Sequence, residues 1–143
     1  MTSAAPRLYL GDHAIATPDK AAIINARSGE VLTYAELDRR SRRLAHLLHA
    51  AGLRPGDHMA IFMENHLRYL EVVWAAFRSG LYITAINRFL TAEEAAYVVD
   101  DCGAKALIAS AALADVATEL VPRIPKCGIR LMVDGTAPGR EPG

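Results

Sequence analysis

An excess of charge of either sign is missing from this sequence. Sixteen Lys and Arg balance sixteen Asp and Glu, for a formal net charge of zero. No long-range field therefore draws the chain to nucleic acid or anionic lipid. Cysteine is scarce: Cys102 and Cys127 stand far apart without metal-ligand spacing, which predicts two reduced thiols in a cytoplasmic protein. No apolar run approaches the ~20 residues that span a bilayer, so no transmembrane segment is expected. The start, Met1-Thr2-Ser3-Ala4-Ala5-Pro6-Arg7, has no charged leader followed by an apolar stretch, and no signal peptide is expected. The sequence also lacks a G-x-G-x-x-G after a strand, a G-x-x-x-x-G-K-[ST] loop and a G-x-S-x-G elbow. Those absences count against a self-contained Rossmann oxidoreductase, a P-loop enzyme and an α/β-hydrolase.

What is present is a globular composition. The chain has 143 residues, 52% hydrophobic and 22% charged, enough for one domain with a real core. Short apolar runs at Ala21–Ile24 and Val31–Thr33 read as strands around a turn at Ser28-Gly29. A helix follows from Tyr34 to Ala51, opened by Thr33 and Glu36 at capping-box spacing and stopped by Gly52. Leu37, Leu44, Leu48 and Ala51 share its apolar face. His58–Met63 reads as a buried strand, and Leu81–Ile86, Lys105–Ala109 and Ile129–Val133 read as further strands, nearly all apolar. Between them lie helices: His66 to Ser79, capped by Asn65; Thr91 to Asp101, with Thr91 and Glu94 as a second capping box; and Ala111 to Val121.

Strands alternating with helices predict an α/β fold, a mainly parallel sheet with helices on both faces. Its ligands are expected beyond the carboxyl ends of the strands, beside the loops Met63-Glu64-Asn65 and Ile86-Asn87-Arg88-Phe89. The expected domain is 1–133, with 134–143 a Gly/Pro-rich loop or frayed end.

Four groups of side chains invite a functional reading. His46 and His49 lie three apart on a helix, but no third ligand completes a metal set, so they read as surface histidines. Arg39, Arg40, Arg42 and Arg43 suit phosphates or a membrane. Pairing of Glu36 with Arg40 and of Asp38 with Arg42 on a solvated face explains them as well. Trp74 and Phe77, three apart, read as core packing rather than a substrate lining. Asn87 and Arg88 are the candidate substrate-binding residues: Arg88 suits a carboxylate or phosphate, and turn chemistry for Asn87 with a plain surface charge for Arg88 explains the pair as well.

Taken in order, a series of short stretches resembles the opening of the adenylate-forming (AMP-binding) superfamily. These are Thr33-Tyr34-Ala35-Glu36-Leu37, Ala51-Gly52-Leu53-Arg54-Pro55-Gly56-Asp57, and Met59-Ala60-Ile61-Phe62-Met63-Glu64-Asn65. Ser79-Gly80-Leu81-Tyr82-Ile83-Thr84-Ala85-Ile86-Asn87, Leu90-Thr91-Ala92-Glu93-Glu94 and Asp101-Cys102-Gly103-Ala104-Lys105 complete the series. The superfamily includes acyl- and aryl-CoA synthetases, carrier-protein adenylation domains and luciferases. The runs through 79–87 and 90–97 look most like bacterial fatty-acyl-CoA synthetases. Ala85 departs from the proline frequent in relatives, which leaves the loop less rigid.

The resemblance implies the first subdomain of the family's large N-terminal domain, and a parent enzyme that joins fatty acid and CoA at the expense of ATP. ATP, Mg²⁺ and CoA are its implied cosubstrates and metal. The rest of the ligase domain is its implied partner. The family's Ser/Thr/Gly-rich phosphate loop with its lysine, the aromatic-x-x-Thr-Glu motif, the ribose-binding aspartate, the hinge and the C-terminal catalytic lysine have no counterpart among these 143 residues. No catalytic or metal-binding residue is therefore carried onto this chain. The expectation is an N-terminal fragment, inactive alone. An aryl-CoA ligase or carrier-protein adenylation domain, and a non-catalytic remnant or interaction domain, remain open alternatives.

Overall fold

The computed structural model describes residues 9–135. Two strands, β1 (Ala21–Ile24) and β2 (Val31–Thr33), pair antiparallel as a hairpin. Its turn is held by Asn25, whose Oδ1 accepts from the amides of Arg27 at 3.0 Å and Ser28 at 3.2 Å. Ahead of the hairpin lies α1 (Leu10–Ala16), which the sequence reading did not include; only Leu10 of its seven residues is buried. One buried side chain in two turns leaves no periodic signal to read.

The main sheet is parallel throughout: β3 (His58–Phe62), β4 (Tyr82–Ala85), β5 (Ala106–Ser110) and β6 (Ile129–Val133), in the order β4-β3-β5-β6. The expected fold class is thus the observed one. Side-chain alternation divides the core in two. Met59, Ile61, Ala106 and Ile108 face α2 (Tyr34–Ala50) and α3 (Tyr69–Arg78), where Leu48, Val72, Ala75 and Ala76 are buried. Ala60, Phe62, Leu107 and Ala109 face α4 (Ala92–Asp101) and α5 (Ala114–Leu120), where Ala95, Val99 and Leu120 are buried. Helices cover both faces, which is why the inner strands β3 and β5 are almost wholly apolar. A third cluster of Leu10, Leu32, Leu37 and Leu67 seats α1 and the hairpin on the edge of this unit.

Both expected capping boxes form. Thr33 Oγ1 accepts from the Glu36 amide and Glu36 returns to the Thr33 amide; Thr91 and Glu94 do the same. The first box has a consequence: Glu36 is occupied there, and the expected Glu36–Arg40 pair is not among the ion pairs of the described residues. Asp38–Arg42 does form, at 2.8 Å. Gly80 ends α3 at φ 68°, a left-handed turn that costs glycine little, and its carbonyl accepts from the Gly56 amide at 2.8 Å.

Three local expectations need correction. Helix α3 begins at Tyr69, not His66, and Asn65 does not cap it. Leu67 is drawn into the third cluster, which breaks the helical path before Arg68. Phe77 is 57% exposed rather than core; it packs edge-on against Trp74 at 5.7 Å, and Trp74 itself is partly buried. Leu44 is only partly buried, whereas Leu48, one turn on, is fully enclosed. Of the expected terminal loop, Asp134 and Gly135 form a turn after β6; 136–143 lies outside the described residues.

Candidate functional site at the carboxyl edge of the sheet

The chain runs from β3 outward to β4, then crosses back to place β5 on the other side of β3. The reversal makes a switch point between β3 and β5, where the loops leaving the two strands part and open a crevice. Glu64 follows β3 and Ser110 ends β5, and the Ser110 hydroxyl donates to Glu64 Oε2 across that crevice. Ser110 is buried in a strand otherwise made of Ala, Leu and Ile, so its hydroxyl needs this acceptor.

Beside this pair opens a groove of about 540 Å³. It is lined by Asn25, Ala26 and Arg27 of the hairpin turn, by Glu64, Asn65 and His66 after β3, and by Arg88 after β4. The loops 63–65 and 86–89 therefore lie where the sequence placed them. An adjoining cavity of about 350 Å³ adds Glu30, Arg40, Arg68 and Asp134.

Arg88 is exposed, its guanidinium 4.5 Å from the centroid of the Phe89 ring. Asn87 shows turn chemistry: its Oδ1 accepts from the Phe89 amide at 2.9 Å. That bond fixes the loop that holds Arg88 at the groove. Arg27 and Arg88 bring two cations to the lining of the groove, Asn25 and Asn65 two amides, and Glu64 a carboxylate. Among the described residues no three His, Cys, Asp or Glu side chains converge to hold a metal ion. His46 and His49 are exposed, as surface histidines should be. Of the arginine cluster, Arg40 reaches the cavity wall, while Arg42 is tied to Asp38.

Sequence reasoning missed His66, Asp134 and Glu71. His66 Nε2 lies 2.6 Å from Asp134 Oδ2, and Arg68 Nη1 lies 3.8 Å from Asp134 Oδ1. Glu71, on the first turn of α3, has a carboxyl pushed above its ordinary range. Loss of water is the main cause, opposed by Arg68, Arg40 and His66. Its Oε2 has no hydrogen-bond partner. Only the high count of polar residues in 64–71 hinted at this cluster, and that count does not say which of them meet.

Known proteins place the geometry in context. Residues 10–141 match the model of a family described as AMP-binding enzyme. A 3-oxocholest-4-en-26-oate–CoA ligase from Rhodococcus rhodochrous is 32% identical over 129 residues, covering 89% of this chain and 23% of that protein. A feruloyl-CoA synthase from an Amycolatopsis species is 45% identical over 80 residues, covering 56% of this chain and 16% of that protein. The fold is that of the N-terminal domain of FACL13 from Mycobacterium tuberculosis, with a TM-score of 0.81 at 24% identity, covering 94% of this chain and 36% of the other. The chain thus spans less than a quarter of the length of these two relatives. No helix among the described residues is long and apolar enough to cross a membrane.

Proposed function

The chain belongs to the AMP-binding enzyme family, and from that premise we propose that residues 1–133 form the N-terminal scaffold of an ATP-dependent acyl-CoA ligase. In such a ligase a carboxylate attacks the α-phosphate of ATP, pyrophosphate leaves, and the CoA thiol then displaces AMP from the acyl-adenylate. Mg²⁺, when bound, neutralises phosphate charge in the first step. ATP, Mg²⁺ and CoA belong in this reading to the parent ligase, and the remainder of its domain is the partner of this unit. The parent works in the cytoplasm.

The observation that carries the reading is the 32% identity with a CoA ligase across 89% of the chain, on a sheet whose switch point opens at its carboxyl edge. Within the scaffold, Arg88 attracts a carboxylate or phosphate at the groove, and Asn87 holds the turn that presents it. A fatty acid is the proposed acid, on the resemblance of the runs at 79–87 and 90–97. An aryl acid is the second reading, favoured by the 45% identity with a feruloyl-CoA synthase.

Stabilising the charge that develops at the α-phosphate takes preorganised donors and cations; losing even one such donor costs ~10²–10³ in rate. A single exposed arginine in water supplies little of that. Residues 1–143 alone are therefore expected to give no acid-dependent ATP–pyrophosphate exchange with Mg²⁺ and a panel of fatty and aryl acids. Exchange above a no-protein blank would show that the chain holds a complete site and would overturn the scaffold reading.

A further inference from the structure

Helix α3 begins without the cap its sequence promised. Arg68 occupies the N-cap position and its side chain makes no capping bond. The side-chain acceptor at this end is the His66 ring, whose Nδ1 accepts from the Arg68 amide at 3.0 Å. An accepting Nδ1 carries no proton, so the proton of the neutral ring lies on Nε2. Nε2 points at Asp134 Oδ2, 2.6 Å away. The ring thus bridges the start of α3 and the turn that leaves β6.

Asp134 is held in an unusual state for this purpose. Its φ is +63°, the one left-handed non-glycine residue among the described residues. Such backbone persists where surrounding contacts over-determine it. The pull of His66 and Arg68 on its two carboxylate oxygens is such a contact.

We propose that His66 is a proton-operated cap. In its neutral form it ties the α3 N-terminus and the β6 turn together; on taking a second proton it keeps Asp134 and releases the Arg68 amide. The release follows because a protonated Nδ1 and the Arg68 N–H are both donors and cannot share one line. The charged groups that face the ring are Asp134 after β6, Glu64 after β3, Glu30 at the hairpin, Arg40 on α2, and Arg68 and Glu71 at the start of α3. Because His66, Arg68 and Asp134 all line the cavity beside the groove, the same proton loosens that wall.

The test is made on the full chain. Nitrogen-15 NMR of the imidazole reports its tautomer, and hydrogen exchange reports protection of the Arg68 amide, both followed from neutral to acid pH. The expected result is an unprotonated Nδ1 at neutral pH. As the ring takes its second proton, protection of the Arg68 amide should fall by up to about tenfold, the net worth of one hydrogen bond. In His66→Asn the Oδ1 stands where Nδ1 stood and cannot be protonated in this range, so protection should no longer change with pH. A protonated Nδ1 in the neutral ring would overturn the proposal. So would Arg68 protection that stays constant while the ring titrates. Either measurement on the unaltered chain decides the matter even if the variant fails to fold.

Discussion

Arg78 of α3 donates from Nη2 to Asp38 Oδ1 of α2 across 2.6 Å, joining two helices whose paired residues are forty positions apart. Both side chains are largely withdrawn from water, with 15% and 10% of their surface exposed. Asp38 also receives Arg42 at 2.8 Å. The Arg78 guanidinium carbon lies 5.8 Å from the Tyr9 ring centroid, so one ion pair aligns α2, α3 and the segment entering α1.

Removing one member of such a pair leaves the other buried without a partner, which costs about 3–5 kcal/mol. Asp38→Ala is therefore expected to destabilise by about that amount. Asp38→Asn, which keeps an acceptor for Arg78, should cost less. Urea melts of the two variants and the parent chain check this ordering.

The buried face of α2 gives a second prediction. Leu48 is fully enclosed and Leu44 only partly so. Leu48→Ala is expected to cost about 2–5 kcal/mol, because the cavity cannot collapse between helix and sheet. Leu44→Ala should cost clearly less. Equal losses in denaturant melts would mean that the helix is rotated on the sheet.

The two thiols should separate by reactivity. Cys127 is 1% exposed, and burial pushes its thiol up to about 11 from an ordinary 9.0. Cys102 is only partly buried. Alkylation of the native chain should modify Cys102 first, with Cys127 reacting at the rate of opening. The pH dependence has a definite sign. The folded chain holds the Cys127 proton more tightly than the unfolded chain does, so its contribution is complete below pH 9 and is lost as pH rises towards 11. The loss is on the order of 3 kcal/mol. Cys127→Ala should flatten the stability profile in that window, as thermal melts at increasing pH would show.

Much of the architecture could be read from local chemistry. Thr33 with Glu36 and Thr91 with Glu94 mark helix starts because a capping box is written within four residues. The inner strands β3 and β5 announced themselves because a sheet covered on both faces needs apolar residues at nearly every position of its central strands. Where sequence failed, a distant contact decided. Asn65 is a good cap by type, yet Leu67 is claimed by a cluster from α1 and the hairpin. Phe77 has core spacing, but among the described residues no element covers its side of α3.

The site divides in the same way. The placement of the loops 63–65 and 86–89 followed from the alternation of strands and helices alone. Ser110 meets Glu64 over 46 positions and Asp134 meets His66 over 68, and neither partnership leaves a mark in the residues around it. The hairpin turn at 25–27 lines the groove only because the third cluster seats it there.

The scaffold reading is tested most directly by transplantation. Residues 10–133 would replace the matching N-terminal segment of the 3-oxocholest-4-en-26-oate–CoA ligase that is 32% identical to this chain. Acid-dependent ATP–pyrophosphate exchange would then be measured for the chimera and for its Arg88→Ala variant. The prediction is exchange that needs both acid and ATP, reduced by the Arg88 substitution. A chimera that folds by circular dichroism, remains monodisperse and yet shows no exchange would contradict the claim that this α/β unit serves as the N-terminal scaffold of an acyl-CoA ligase.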